Sequence, residues 1–335
     1  MSVFGDNLIK IDHWRSVEDY MSPIIPCYLD DHVSEIMINR FDNILVQRTD
    51  GIAKIESSFS DEAELKRFVT QIASALGQKF NEANPILDAR FPDDSRICAV
   101  HDVISPKGIN VTIRIARKSG GLVTPEVMIS NNYMTPEMWH FLVNEYSNGK
   151  NIIFSGNTGS GKTTVMRNLI DSLGDQERIL IVEDTNEINI SHPNVVNMEA
   201  AAKRDVSVSM ERLIQTTLRQ FGSKLVVGEI RDGLAANALI QAINTGVDGC
   251  TASIHANGAN AAVSRLQYLL CTLGYVKFEL AKTLILSSID IFVHCKRCNN
   301  HGRKITEIAV VNTSRDALDT AYFYDTLDEC HKKSF

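Results

Sequence analysis

Apolar residues follow one rhythm in the first third of this chain and another in the remainder. SEIMINR, ILVQRT and IAKIES alternate roughly between apolar and polar positions, with FDN and the Asp50-Gly51 pair between them, a pattern that predicts an antiparallel meander. A helical spacing starts at about Ser60, whose hydroxyl suits the cap, with Asp61 and Glu62 in the first turn and Phe68, Ile72, Ala75 and Leu76 on one face. SRICAVH and NVTIRIA predict two more strands. The residues before Asp31, with Trp14, Met21, Ile24, Ile25 and Leu29, predict a helix leading into a turn near Pro23 and Pro26. Together these make a small α+β domain that ends near Lys118 and carries Arg96, Arg114 and Arg117 on or beside its last strands.

Beyond residue 150 the apolar positions come instead as short runs, in NIIF, RILIVED, KLVVGE and TASIHA. Helical spacings alternate with them: Val165, Met166, Leu169 and Ile170, then a stretch from about Val206 to Phe221, then Gly233 to Ile243. That alternation predicts an α/β domain with a mainly parallel sheet, helices over it, and ligands at the carboxyl ends of its strands. AAVSRLQYLLCTL and FELAKTLILSSI predict two further helices, and DIFVHC and KITEIAVV two further strands, while the tail from Ser314 has no assignable pattern. Between the two rhythms lies SGGLVTPEVMISNNYMTP, a Gly, Ser, Thr, Asn and Pro-rich stretch that reads as a linker with one short element around Val127. Thr135 as cap, Pro136 at the first helical position and Glu137 in the first turn then start a helix. The expected organisation is a domain over 1–118, a linker over 119–135 and a second domain over 136–335, in keeping with a length of 335 residues.

The chemistry concentrates in GNTGSGKTT, where an apolar strand ends and a helix begins. Gly156, Gly159 and Gly161 let the backbone curl so that successive N–H groups converge on phosphate oxygens at a helix N-terminus. Asn157, Thr158, Ser160 and Thr164 complete the loop, Lys162 reaches the β- and γ-phosphates, and the Thr163 hydroxyl suits Mg²⁺. This P-loop predicts ATP and Mg²⁺ as ligands.

Other polar groups follow the remaining strands. Glu229 in KLVVGEIRD stands where an acidic group holds the Mg²⁺ shell, and Glu183, Asp184 and Glu187 crowd ILIVEDTNEI, where one carboxylate suits a general base. His255 in TASIHANG suits the γ-phosphate, and Arg219 and Arg231 suit transition-state charge or surface ion pairs. HCKRCNNH holds His294, Cys295, Cys298 and His301, enough ligands for zinc but also an ordinary basic hairpin. A net charge of −7 argues against a broad nucleic-acid-binding face, so direct nucleic-acid binding is not expected. Seven cysteines fit reduced thiols better than a disulfide framework. With no signal peptide or membrane-spanning run, the expected location is cytoplasmic.

NPILDARFPDDSR, VTIRIA, NIIFSGNTGSGKTT, ILIVEDTNEI, TTLRQFGSKLVVGEIRD and AINTGVDGCTASIHANGANAAVSRL, in this order, resemble the secretion-superfamily ATPases. These power type IV secretion, conjugation, type II secretion and type IV or tight-adherence pili. The resemblance implies a RecA-like P-loop NTPase domain preceded by a smaller α+β, PAS-like domain, six identical subunits in a ring, and peripheral contact with an inner-membrane secretion or conjugation complex. It implies an aspartate box in EDTNE with Glu187 as the base, a Walker B in GEIRD, a histidine box at His255, the family arginine at Arg219, and nucleotide-facing Arg96 and Arg114. Asp94 replaces a usual Gly, Val247 a common His, and SKL lacks the usual proline-acidic pair. The wording of the boxes is closest to conjugation-type and tight-adherence enzymes. The implied function is a motor that couples ATP hydrolysis to substrate transfer in a type IV secretion or conjugation apparatus. The alternatives are a pilus or type II secretion ATPase, a nucleic-acid translocase, and a nucleotide-gated adaptor without turnover.

Overall fold

The alternating segments of the first third form one six-stranded antiparallel sheet, and the unbroken runs of the remainder form a nine-stranded one. The computed structural model describes residues 12–48, 51–93, 95–116, 123–185, 187–203, 206–298 and 302–334. Asp50, Asp94, Arg117 and His301, and the first part of the expected linker, lie outside them. The chain divides into two units, Met1–Leu122 and Val123–Phe335.

In the first unit α1 (Asp12–Tyr20) and α2 (Ile25–Tyr28) lead into β1 (Glu35–Arg40), β2 (Asn43–Arg48), β3 (Gly51–Lys54), α3 (Glu62–Ala75), β4 (Ile86–Arg90), β5 (Arg96–Val100) and β6 (Asn110–Arg114). The strand order is β3-β2-β1-β6-β5-β4. Ile36 and Ile38 pair with Val46 and Ile44 on one side and Ile113 and Val111 on the other, so period two puts all of them on the buried face. Helix α3 lays Leu65, Phe68, Val69 and Ile72 into that same core. Strand β4 is missing from the pattern reading because ILDAR buries only Leu87; pairing with β5 makes it a strand. The α3 cap is Asp61 rather than Ser60: Asp61 Oδ1 accepts from Glu64 N at 2.7 Å, and Glu64 accepts in return from the Ser60 N–H and hydroxyl.

In the second unit α4 (Pro125–Ser130), α5 (Pro136–Ser147), β7 (Ile152–Ser155), α6 (Lys162–Asp171), β8 (Ile179–Glu183), β9 (Val195–Glu199), β10 (Ala201–Lys203), β11 (Val206–Val208) and α7 (Met210–Thr217) come first. They are followed by β12 (Lys224–Val227), α8 (Gly233–Asn244), β13 (Thr251–Ile254), α9 (Ala259–Cys271), α10 (Phe278–Ser288), β14 (Ile291–Cys298), β15 (Gly302–Asn312), β16 (Ala317–Asp325) and β17 (Cys330–Lys333). The sheet order is β17-β16-β15-β14-β7-β13-β12-β8-β9, parallel from β14 through β9 and antiparallel from β14 to β17.

Alternate residues of each central strand serve two cores. Ile152, Phe154, Ile181, Val226 and Val293 pack with α4, α5 and α6, whereas Ile153, Val182, Val227, Ala252 and Phe292 pack with α7 through α10. This is why those strands read as unbroken apolar runs.

Two stretches differ from the pattern reading. The helix expected over Val206–Phe221 is shorter, because Val206–Val208 pairs with Ala201–Lys203 as a hairpin and Ser209 caps α7 by accepting from Arg212 N. The tail from Ser314 holds β16 and β17; β17 is CHKK, with no apolar alternation, and only its pairing with β16 reveals it. Helix α4 is the short element expected around Val127, with Met128 buried in the core of the second unit. Among the described residues no helix is long and apolar enough to cross a membrane.

Asp61→Ala should cost about 1 kcal/mol of the first unit's stability by removing the cap. Ser60→Ala should cost less than half of that; urea denaturation followed by circular dichroism compares the two.

Candidate nucleotide-binding site

Every polar cluster singled out beyond an apolar strand, except Arg219, lies at the carboxyl edge of the parallel strands, and the strand order sets their sequence in space. The P-loop follows β7, His255 follows β13, Glu229 follows β12 and Asp184 follows β8, and these strands are neighbours in the order β7-β13-β12-β8. The side chains connect in that same order. His255 Nδ1 lies 3.1 Å from Gly156 O and its Nε2 3.1 Å from Glu229 Oε1. Arg231 then bridges Glu229 Oε2 and Asp184 Oδ2, each at 2.9 Å. Both imidazole nitrogens thus face oxygen atoms, one on the P-loop backbone and one on the Glu229 carboxylate.

The loop is shaped by contacts that tolerate no side chain. Gly156 has φ +145°, and a Cβ there would lie 2.1 Å from Cys295 O on β14. Gly161 has φ +100°, and a Cβ there would lie 2.7 Å from the Tyr133 hydroxyl oxygen. Lys162 is buried, its ammonium donating to Gly156 O at 2.7 Å and Asn157 O at 3.1 Å. Asn157, Thr158 and Gly159 form the exposed crest, while Thr163 and Thr164 are half-buried on the first turn of α6.

The residues present fit a phosphate ligand with its metal ion. The N-cap residue of α6 is Gly161, which has no side chain to cap it, whereas α5, α7 and α8 are capped by Thr135, Ser209 and Asp232. A helix N-terminus whose cap residue is glycine leaves room for an anion to approach its first turn. The Ser160 hydroxyl is buried with no hydrogen-bond partner among the described residues. Thr163 and Glu229 are hard oxygen donors suited to Mg²⁺, and each Glu229 oxygen retains acceptor capacity beyond its present bond.

The three carboxylates of the acidic box have separate environments. Glu183 is buried, and its carboxylate accepts from Glu187 N at 3.1 Å and Ile188 N at 3.0 Å, so it shapes the loop that carries Glu187. Burial pushes its pKa up to about 7 against the pull of those two amides. The Glu187 side chain is exposed; the Glu229 hydrogen bond, and then the charges of Glu229, Asp184 and Glu187, raise the Arg231 pKa against the effect of burial. Burial raises Glu229 as well, but the Arg231, His255 and Lys162 charges outweigh it and hold this carboxyl below its ordinary range.

Arg219 is not brought to this cluster. It follows α7, and the next residue is tied by Gln220 O to Arg178 Nε at 3.0 Å. Arg178 immediately precedes β8, so the exposed Arg219 side chain sits at the amino edge of the parallel strands, opposite the P-loop. Nor do the described members of HCKRCNNH converge on one point. His294 Nδ1 meets Ser155 Oγ at 2.9 Å, with burial and the nearby Lys296 and Lys162 charges pushing its pKa down to about 4, while Cys295 enters the core beside Tyr133. Among the described residues no group of three or more His, Cys, Asp and Glu side chains is arranged to hold a metal ion.

Two residues against the loop escaped the motif reading. The Tyr133 hydroxyl donates to Ser160 O at 3.1 Å, and Arg303 Nε donates to Gly159 O at 2.7 Å. One lies in the expected linker and the other at the start of β15, and neither belongs to a spacing pattern. In the first unit Arg90, Arg96 and Arg114 stand directly opposite one another on β4, β5 and β6, with Glu35 of β1 next in the row.

The family model described as "Type II/IV secretion system protein" matches residues 18–335. A type IV secretion system protein VirB11 of Bartonella henselae is 30% identical over 325 residues, covering 86% of this chain and 91% of that protein. A conjugal transfer protein TrbB of Rhizobium radiobacter is 27% identical over 319 residues, covering 94% and 95%. Among solved structures, the pilus retraction motor PilT with bound ADP aligns with a TM-score of 0.63 at 18% identity, over 88% of this chain and 83% of its own. The ATPase DotB of Legionella pneumophila aligns with 0.61 at 17%, over 89% and 82%. The fold is thus RecA-like with a preceding α+β domain.

Because Glu183 in the fold keeps its proton up to about pH 7 and the unfolded chain loses it near 4.5, the folded state holds more protons in that window and loses stability as pH rises through it. Glu183→Gln removes that dependence. Between pH 4.5 and 8 the stability difference between the two proteins should move in favour of the variant by at most about 3 kcal/mol, read from denaturation curves at each pH.

Proposed function

The chain belongs to the type II/IV secretion system protein family, and from that premise we propose that it is an ATP hydrolase. Its subunits form a homohexameric motor for substrate transfer in a type IV secretion or conjugation apparatus. The observation that carries this reading is the spatial run from the P-loop through His255 and Glu229 to Arg231 and Asp184. A phosphate-only binding site needs the loop; an acidic group and a histidine linked to it are what hydrolysis adds.

In this reading Lys162 gives up its bonds to the Gly156 and Asn157 carbonyls and neutralises phosphate charge, while the α6 amides hold the phosphate oxygens. Thr163 and Glu229 hold Mg²⁺, which supplies charge neutralisation at the transferring phosphoryl group when bound. Glu187, exposed beside that edge, takes the proton of the attacking water, and His255 links Glu229 to the P-loop so that the two move together. Arg96 and Arg114, opposite one another on β5 and β6, add positive charge toward nucleotide. Arg219, at the far edge of its own sheet, acts toward a neighbouring subunit's site. Membrane association runs through partner proteins of the inner-membrane complex.

Lys162→Ala should abolish ATP turnover, to below about 1% of wild type, with an unchanged circular dichroism spectrum; wild-type turnover in this variant refutes the site. Arg96→Ala and Arg114→Ala should each lower kcat/KM by roughly tenfold at unchanged melting temperature, and unchanged kinetics and affinity in both remove the arginines from the mechanism. Native mass spectrometry with ATP and Mg²⁺ should give six times the mass of one chain. Tight nucleotide binding without turnover in the wild-type protein would replace the motor by an adaptor that ATP only switches.

A further inference from the structure

Amide N–H groups of a P-loop converge on the ligand side, so its carbonyl oxygens point outward and need other donors. Several of them find one. Gly156 O faces Lys162 Nζ and His255 Nδ1, Gly159 O accepts from Arg303 Nε, and Ser160 O accepts from the Tyr133 hydroxyl.

Tyr133 is 5% exposed, and its ring lies against Gly161 too closely to admit a Cβ there. The segment that carries it is itself fixed. Tyr133 N donates to Met128 O at 2.8 Å, Tyr133 O accepts from Ile305 N at 2.8 Å, and Lys304 Nζ reaches Asn131 O at 3.3 Å. Asn132 turns the chain with a left-handed φ of 53°. Strand β15 thus holds this strap with Lys304 and Ile305 and braces the loop crest with Arg303, the residue before them.

We infer that Tyr133 and Arg303 are positioning residues for bound phosphate, acting through the Ser160 and Gly159 carbonyls to hold the P-loop in its curled form. The peptide unit whose carbonyl takes the Tyr133 hydrogen bond carries the Gly161 N–H at its other end. Polarising that unit makes the N–H a better donor toward phosphate. The guanidinium of Arg303 sits on a carbonyl, on the outer side of the loop, so it steadies the crest rather than touching the ligand. This inference rests on the nucleotide reading of the site.

The experiment measures binding of a fluorescent ATP analogue with Mg²⁺ to the full chain, together with steady-state ATPase kinetics and melting curves. Tyr133→Phe keeps the ring against Gly161 and loses only the donor, and Arg303→Ala loses the other donor. Tyr28→Phe is the comparison: its hydroxyl bonds Asp93 in the core of the first unit, and its loss should lower the melting temperature and leave binding unchanged. Tyr133→Phe should weaken binding and raise KM about fivefold to tenfold, and Arg303→Ala about threefold, with kcat at saturation within about twofold of wild type. Wild-type affinity in both variants, or an equal loss in Tyr28→Phe, overturns the inference. Failure of the wild-type chain to bind the analogue, or unaltered binding by Lys162→Ala, overturns instead the nucleotide reading beneath it.

Discussion

The hydrogen-bonded ladder between β7 and β13 is the constraint on which the site depends. Its register, Thr251 opposite Ile152 through Ile254 opposite Ser155, brings both strands to an end side by side. The next residue on each, Gly156 and His255, must then be neighbours, and the His255 imidazole reaches the Gly156 carbonyl. Strand β12 pairs with β13 in turn, so Glu229 falls within reach of the other imidazole nitrogen. A slip of one residue in the β7–β13 ladder would send alternate side chains to the wrong core and part the histidine from the loop.

On the other side of β7 the pairing with β14 sets the space available to the loop. Ile291 opposite Ile152 through His294 opposite Ser155 places the Cys295 carbonyl where a side chain on Gly156 would have to go. The same strand continues beyond the end of β7 to Cys298 and returns as β15, which brings Arg303 to the crest of the loop. The P-loop therefore depends on long-range contacts from both of its neighbouring strands. Its glycines are the local half of a fit whose other half lies about a hundred and forty residues later in the chain.

The charges at this edge are arranged so that each carboxylate has a different task. Glu229 keeps its charge because Arg231, His255 and Lys162 surround it, whereas Glu183 is held in the interior by two backbone amides and gives up part of its acidity. Residue type and proximity in sequence make Glu183, Asp184 and Glu187 look alike. Burial separates them: the side chain of Glu183, the last residue of β8, points into the protein, and the turn that follows puts Asp184 and Glu187 outside.

Local sequence was enough to establish the elements whose patterns are strong. The P-loop, the buried strands of the second unit, α3 and α8 were legible because glycine spacing, unbroken apolar runs and helical periodicity are local properties of the chain. Weakly patterned elements were not: β4 buries one residue, β17 is polar, and the α7 boundary moved because Val206 and Val208 joined a hairpin. Asp61 outranked Ser60 as a cap on geometry that two adjacent candidates cannot reveal by type. Which polar strand ends meet was decided only by the tertiary structure, since the sheet order β14-β7-β13-β12-β8 differs from the order of those strands along the chain. It joined His255 to the P-loop, left Arg219 at the opposite edge, and brought in Tyr133 and Arg303, because contacts between distant segments depend on crossovers and register that no local pattern encodes.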